Sequence, residues 1–398
     1  MTETVSTGLP VGRSNPFDPS DELGRLRAQR PLCPMRFPDG HVGWLASSHS
    51  LARELLADQR FSNRGELQHS PVAVGGEVMP PREVPRGLFL ATDPPDHTRY
   101  RRLLTGQFTV RRMNQLTSRI ERIVADHLAA MREHGSPADL VPVFARPIPS
   151  LVICEMLGVP YAERDTFQRN TAVAMNLEHT VEQMNAAVAE IQTYLRDLVR
   201  RKRSQHDDDL LSGLIASSGL DEEELTNVTF LLLVAGHETT ANMLGLGTFA
   251  LLQNPRQLAA LRSDPALMDN AVEELLRYLT IVQFGTTRTA LQDVEVDGHV
   301  IKAGDTVSIS LPAANRDPEK FEHPDALDVS RAAAGHVAFG HGIHQCLGQQ
   351  LARIEMRIGY TGLFREFPDL RLAVPAQDVP LRDQMSIYGV HSLPVEWS

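Results

Sequence analysis

From Asp221 to Asn254 the chain reads DEEELTNVTFLLLVAGHETTANMLGLGTFALLQN, one long helix-forming run. Acidic residues crowd its first turn, where they offset the positive end of the helix dipole, and Pro255 stops it. At 1.5 Å per residue such a helix is roughly 50 Å long, enough to cross a whole domain. Phe230 to Leu252 is apolar enough to suggest a membrane span. His237, Glu238, Thr239, Thr240 and Asn242 lie in its centre, however, where polar groups are costly in lipid. A helix apolar nearly all round is then the buried core of a large protein. In its middle, Ala235 and Gly236 carry almost no side chain, so a flat ligand can reach the backbone. Thr239 can hydrogen-bond a carbonyl one turn back and open the helix locally. A widened turn of that kind holds water and often marks a functional site. Glu238 adds a titratable group. The plain alternative is a packing notch with Glu238 at a surface.

The totals agree with a large core: 398 residues, 42% of them hydrophobic. Length alone suggests two or three domains, but no linker-like stretch divides the chain after residue 20. Residues 21–398 are therefore read as one domain behind a loose N-terminal arm, residues 1–20. Fifty acidic against 39 basic residues give a net charge of −11, which argues against nucleic acid or an anionic membrane as partner. Cys33, Cys154 and Cys346 are too few and scattered for a disulfide framework, so a reducing, cytoplasmic compartment fits. The N-terminus has neither a basic n-region nor an apolar h-region, so neither a signal peptide nor a membrane anchor is expected.

Along the chain, Asp21 to Gln29 is helix-like. Pro34 to Ala46 reads as a small sheet, and Ser50 to Ala57 as a short helix with Ser50 as N-cap. Arg64 to Phe89 has no period and is a long irregular segment. Asp93-Pro-Pro is a helix-start signal, after which His97 and Arg101 fall at i and i+4 on one face. Val110 to Val199 is mostly helical, broken at Gly135-Ser-Pro and Gly158-Val-Pro. Met175, Leu177 and Met184 make a Met-rich apolar stretch that suits either core or an adaptable lid. Glu274 and Arg277 stand at i and i+3, which alone is a routine surface pair. Val294 to Val300 alternates around Asp297-Gly298, a hairpin signal. Met385 to Trp397 reads as strand–turn–strand.

Phe339 to Arg353 reads FGHGIHQCLGQQLAR. Glycines surround Cys346, and an amphipathic helical segment follows it. The reading is a tight loop that delivers a cysteine to a helix N-terminus, with glycine where the loop passes close to a large flat ligand. Unpaired N–H groups and the dipole there lower a thiol pKa. With no second cysteine or paired histidine at metal spacing this is not a zinc site. It can be the single protein ligand of haem iron. The bland alternative is a small buried hydrophobe.

The pattern Phe-x-x-Gly-x-x-x-Cys-x-Gly closely resembles the haem-binding signature of the cytochrome P450 superfamily. Ala235 to Thr240 resembles the acid–alcohol segment of the same family, and the likeness runs in family order from about residue 20 to the end. The closest likeness is to the soluble actinobacterial enzymes. The resemblance implies a mainly α fold with small β-sheets and haem b as cofactor. It makes Cys346 the iron ligand, with Phe339, Gly340, Gly348 and Ala352 against the haem. His97, Arg101, Arg288 and His344 would bind the propionates, and Ala235 and Gly236 would face the ring. Glu238 and Thr239 would deliver protons. Glu274, Arg277 and a third member, Arg331, would form a buried structural site. Phe89, Met175, Leu232, Ala235, Thr239, Ile281, Val282 and Ile387 would line the substrate pocket. His237 matches a variable position and receives no role.

The implied reaction inserts one atom of O₂ into a bulky hydrophobic small molecule, by hydroxylation or epoxidation. Polyketides and macrolides, statin-like compounds, steroids and secosteroids are the classes expected. No flavin-binding or iron–sulfur segment is found, so a ferredoxin and its reductase are the expected electron donors to a monomer. They would dock at a face bearing Arg102, Arg111, Arg112, Arg353 or Arg357. The rival readings are a peroxygenase using hydrogen peroxide, against which Glu238-Thr239 argues, and a haem-binding sensor without turnover.

Overall fold

The central segment forms one unbroken α-helix, Glu222–Gln253. Its start is a reciprocal capping box: the Asp221 carboxylate accepts from the Glu224 N–H, and Glu224 accepts from the Asp221 N–H. Asn254 ends it, and Pro255 opens the next helix at its first position. The computed structural model describes residues 6–205, 207–284 and 286–398.

In chain order the helices are α1 (Asp21–Gln29), α2 (His49–Ala57), α3 (Asp96–Thr105), α4 (Val110–His134), α5 (Pro147–Leu157), α6 (Arg164–Ala174) and α7 (Val181–Ser204). They continue with α8 (Leu210–Ser217), the central α9, α10 (Pro255–Ser263), α11 (Met268–Leu279), α12 (Leu311–Ala314) and α13 (Gln349–Glu366). α5, α7 and α13 pack directly against α9. Glycines let them come close. A Cβ on Gly236 would stand 2.8 Å from Ile153 of α5, and one on Gly247 would overlap the Tyr360 hydroxyl of α13. The Cβ side of Gly236 is thus filled by Ile153, so its missing side chain serves the packing of α9 on α5. Thr239 does bond back to the Ala235 carbonyl, at 2.8 Å. The helix stays regular there, because one hydroxyl can share that carbonyl without displacing its backbone donor.

The main sheet has the order β1-β2-β3-β9-β6-β4. β2 (Leu32–Arg36) and β3 (Val42–Ala46) form an antiparallel hairpin with Cys33 opposite Leu45. β1 (Ser6–Thr7), β4 (Phe61–Ser62), β6 (Thr287–Ala290) and β9 (Thr306–Ile309) complete it. β5 (Ala138–Asp139), β10 (Arg371–Leu372) and β11 (Pro394–Glu396) make a second sheet. β7 (Val294–Val296) and β8 (His299–Ile301) form the hairpin expected at Asp297-Gly298, and both turn residues have positive φ.

Three expectations change. The short helix begins at His49 with Ser48 as its cap, because the Ser48 hydroxyl accepts the Leu51 N–H. Of the expected tail strands, only Pro394–Glu396 forms one; residues before it make isolated bridges. The N-terminal segment from residue 6 is not loose. β1 pairs with β2, Phe17 is buried against Phe249 of α9, and Arg13 lies 3.9 Å over the Tyr388 ring. The Phe17 carbonyl also accepts from Arg316, which is 1% exposed. An aromatic anchor and a buried cation hold the segment in place where its polar composition suggested otherwise.

Candidate active site

Cys346 lies in the loop between the sheet and α13. Gly340 and Gly342 both have positive φ, and a Cβ on Gly342 would stand 2.4 Å from the Leu56 carbonyl of α2. That crossing requires glycine. The Cys346 N–H donates to the Phe339 carbonyl at 2.9 Å. Its sulfur receives the N–H groups of Gly348 and Gln349 at the start of α13. Burial nonetheless pushes the thiol up, and these N–H groups with Arg101 and Arg353 do not reverse it. The N–H groups at the helix start do lower it, as their position implies, while desolvation of the thiolate acts the other way. The Arg353 guanidinium lies 4.6 Å over the Phe339 ring and is held by Glu273, which also accepts from His336.

On one edge of this loop four cationic or protonatable groups converge. His97 and Arg101 come from one face of α3, Arg288 from β6 and His344 from the loop itself. The two imidazoles lie 4.1 Å apart. His97 is 2% exposed, yet neither ring nitrogen has a partner, and Nδ1 of His344 has none either. Burial, then the His97, Arg288 and Arg101 charges, drive the His344 pKa down to about 3. Burial lowers Arg288 to about 10. Buried donors without acceptors beside two guanidinium groups make a site for anions. A cavity of about 840 Å³ opens at this edge, lined by Asp93, Arg99, Tyr100, Glu224, Arg288 and His344 among others.

Across from the loop, Ala235 is exposed in the middle of a helix whose neighbours Leu232, Leu233, His237 and Glu238 are buried. Thr239, one turn on, is half-buried on the same face. Glu238 faces elsewhere. Its carboxylate pairs with Arg382 and accepts from Asn242 Nδ2 at 3.3 Å. Burial raises its pKa, but Arg382 and His237 outweigh burial and hold it below the usual carboxylate range.

Four distant segments are laced together by backbone bonds. The turn after α6 (175–180) meets the C-terminal turn: the Ser386 N–H donates to Met175 O (3.1 Å), and the Leu177 N–H donates to Gln384 O (2.8 Å). Ile387 bridges Val282, and the Tyr388 N–H donates to Ile281 O (2.8 Å). The Gly75 N–H of the irregular segment donates to Leu177 O (2.6 Å). Met175, Ile281, Val282 and Ile387 thus come together, as expected. Phe89 departs from them. It is buried on α3, its ring 6.3 Å from Tyr100 and 6.5 Å from His97, because the 3₁₀ turn Phe89–Ala91 folds directly onto that helix.

Beneath the loop, Glu274, Arg277 and Arg331 form one cluster. Arg277 makes two bonds to Glu274 (2.7 and 2.8 Å), and Arg331 Nε lies 3.1 Å from Glu274. Sequence reasoning missed Arg382 and the Glu273–His336–Arg353 group. No local spacing signals either.

A flat macrocycle carrying two carboxylates fits these residues. Orphaned imidazole nitrogens and guanidinium groups suit its anionic edge, and exposed Ala235 suits its face. At Gly340 and Gly348 an added Cβ would meet nothing within 4 Å, so the loop leaves room on that side as well. Cys346 would hold its metal.

The family model described as cytochrome P450 matches residues 167–397. The chain is 51% identical to cytochrome P450 105C1 of a Streptomyces species, with both chains covered completely. It is 40% identical to the vitamin D3 dihydroxylase of Streptomyces griseolus, again over 100% of each. The crystal structure of CYP105P1 in complex with filipin I is 43% identical and superimposes with a TM-score of 0.94, covering 99% of each chain. A cationic edge, a long central helix and a glycine-bounded cysteine loop follow one another along the chain, and with whole-length identity to such relatives they leave one assignment: the chain belongs to the cytochrome P450 family, with the CYP105 enzymes, and is a haem-dependent monooxygenase.

Proposed function

We propose that this monooxygenase hydroxylates a bulky hydrophobic small molecule, such as a macrolide, another polyketide or a secosteroid, with electrons from a ferredoxin. The observation that carries the substrate class is the laced wall of Met175, Ile281, Val282 and Ile387, which shares one apolar cluster with Leu232 of α9. It offers apolar contact from three separate segments and few polar groups to fix a small polar substrate. The adaptable Met175 sits on a turn that can move as a lid. The relatives acting on vitamin D3 or binding filipin I are of that size and character.

Haem b supplies the dioxygen chemistry when bound, placing one oxygen atom in a substrate C–H bond and releasing the other as water. The chain does the rest. Cys346 holds the iron, and its Gly348 and Gln349 N–H groups stabilise the thiolate. His97, Arg101, Arg288 and His344 take the propionates. Thr239 and Glu238 hold and move protons, the threonine from the face of Ala235 and the carboxylate from behind it.

For the electron donor, Arg102, Arg111 and Arg112 are exposed and have no ion-pair partner among the described residues. Arg353 and Arg357, expected on the same face, are paired with Glu273 and Asp269, and so leave the proposal. The remaining three give an acidic ferredoxin a local target on an acidic protein. We place the enzyme as a cytoplasmic monomer; none of the described helices is long and apolar enough to cross a membrane.

A screen of hydrophobic natural products for a substrate-induced shift of the haem Soret band tests the substrate class, followed by product analysis with a ferredoxin and reductase. Binding confined to small polar compounds would overturn it. Product formed from hydrogen peroxide alone, at the rate seen with NADPH and ferredoxin, would favour a peroxygenase.

A further inference from the structure

The wall proposed for the substrate has two sides. Val282 and Ile387 face each other as an antiparallel bridge, so their side chains stand on one face of the pair, and the residues after them point to the other. Those residues are Gln283 and Tyr388. Tyr388 is fully buried, and its hydroxyl donates to the Pro16 carbonyl at 2.8 Å. The Gln283 N–H donates to Ser386 O at 3.4 Å, and its side-chain amide donates to Met385 O at 2.9 Å. The segment 281–283 thus grips the C-terminal turn twice, by its backbone and by a side chain on the outer face.

The N-terminal segment covers that outer face. The Arg13 guanidinium lies 3.9 Å over the Tyr388 ring. Its Nε and Nη2 donate to Gln283 Oε1 at 3.4 and 3.3 Å, and its Nη1 donates to the Asp18 carbonyl at 2.7 Å. One planar fork therefore ties together residues 13–18, the segment 281–283 and the C-terminal turn. These bonds go to a carbonyl and an amide rather than to a carboxylate, and burial pushes the Arg13 pKa down. Phe17 on Phe249 already anchors the segment, so a desolvated cation is a costly addition. What Arg13 adds is a grip on Gln283 and Tyr388, the two residues directly behind Val282 and Ile387.

We propose that Arg13 is a positioning residue for substrate selection: it braces Gln283 and Tyr388 from outside and so fixes how far Val282 and Ile387 reach into the pocket. The inference rests on the reading of Met175, Ile281, Val282 and Ile387 as the substrate wall. It concerns bulky hydrophobic ligands, because only a large molecule extends as far as that wall. Without the fork, the bridge keeps its backbone bonds but loses what presses on its outer face, and the pocket gains room. One methylene of room in an apolar pocket changes discrimination by about 10–200-fold.

The test uses the haem-loaded enzyme and three azoles of rising size: imidazole, 4-phenylimidazole and 1-tritylimidazole. Each binds the iron through a ring nitrogen, so a Soret titration gives its Kd without turnover. Imidazole is too small to reach the wall, and its Kd in Arg13→Ala should stay at the wild-type value. The ratio of the trityl Kd to the phenyl Kd should fall by about 10-fold, the low end for one methylene of room. A loss of stability alone would reduce the amount of folded enzyme and leave that ratio unmoved. Arg13→Lys keeps the charge over Tyr388 but not the fork, and should recover part of the ratio. Gln283→Ala should match Arg13→Ala, and the double variant should add nothing further, because the two side chains act as one unit. If Arg13→Ala fails to fold, Gln283→Ala decides by the same ratio. Val282→Ala tests the wall itself and should shift the ratio in the same direction. A wild-type ratio in Arg13→Ala or Gln283→Ala, beside a shifted one in Val282→Ala, would overturn the brace and leave the wall standing. A wild-type ratio in Val282→Ala would fault the wall, and the brace with it.

Discussion

Glu274 on α11 and Glu238 on α9 are both buried carboxylates with an arginine partner, yet the two sites are finished differently. Around Glu274 the bonding is complete. Arg277 gives two bonds to the carboxylate and others to the carbonyls of Asn315, Pro324 and Ala326. Glu274 also accepts from the Asp328 N–H and Arg331 Nε. Around Glu238, Arg382 Nε and His237 Nε2 stay open. A satisfied buried network is rigid and costly to break, whereas a partly satisfied one has alternative arrangements close in energy. The first site sits under the Cys346 loop, the proposed holder of the iron. The second sits behind Thr239, on the proposed proton route.

The largest effect should come from breaking the complete site. Arg277→Ala takes the fully buried cation and two hydrogen bonds from Glu274, leaving it only Arg331 and the Asp328 N–H, a change worth up to about 3–5 kcal/mol. Thermal unfolding should shift down by several degrees, and the variant should be purified largely without haem. An unchanged melting temperature would erase the distinction between the two sites. Next comes Thr239→Ala, which leaves the fold alone. Product per NADPH should fall by up to about 10²-fold, with hydrogen peroxide released in its place. Unchanged coupling with several substrates lacking a hydroxyl of their own would take Thr239 out of proton delivery.

Smaller effects belong to the surface. Replacing Arg111 and Arg112 by Gln should weaken the ferredoxin several-fold, as a rise in its KM, and flatten the dependence of turnover on ionic strength. A salt dependence equal to wild type would remove that face. The smallest effect concerns Glu273. Burial pushes it up, but hydrogen bonds from His336 and Arg353 outweigh burial and bring it from 4.5 to about 2. A depressed carboxylate stabilises the fold above its unfolded pKa, and that share is lost as pH falls toward the folded value. The melting-temperature difference between wild type and Glu273→Gln should therefore shrink between about pH 5 and pH 2. A difference constant over that window would mean that the group adds no pH-linked stability.

What could be read in the chain was what is local. The bounds of α9 follow from its acidic cap and Pro255, and the hairpin at Asp297-Gly298 follows from turn chemistry. The cysteine loop and the His97–Arg101 face lie within short windows, so spacing reveals them. Arg331 was found because the family places a later arginine near the cysteine loop, a region that Asp328-Val-Ser-Arg331 matches. Arg382 could not be found that way, since 144 residues separate it from Glu238 and nothing in Leu381-Arg382-Asp383 marks a buried ion pair. The packing role of Gly236 stayed hidden because a small residue on a helix does not say which neighbour fills the space; Ile153 does. Phe17 and Arg13 escaped notice because a polar, Pro-rich segment hides single anchors. The N–H groups at Cys346 can be inferred from position, whereas desolvation depends on what covers the sulfur.

The most direct measurement is the absorption spectrum of the reduced carbon-monoxide complex in wild type and in Cys346→His. Wild type should give the red-shifted Soret band of thiolate ligation. The variant should still bind haem through His97, Arg101, Arg288 and His344 but lose that band, and with it monooxygenase turnover. A band that survives the substitution would show that Cys346 is not the iron ligand and would contradict the account at its centre.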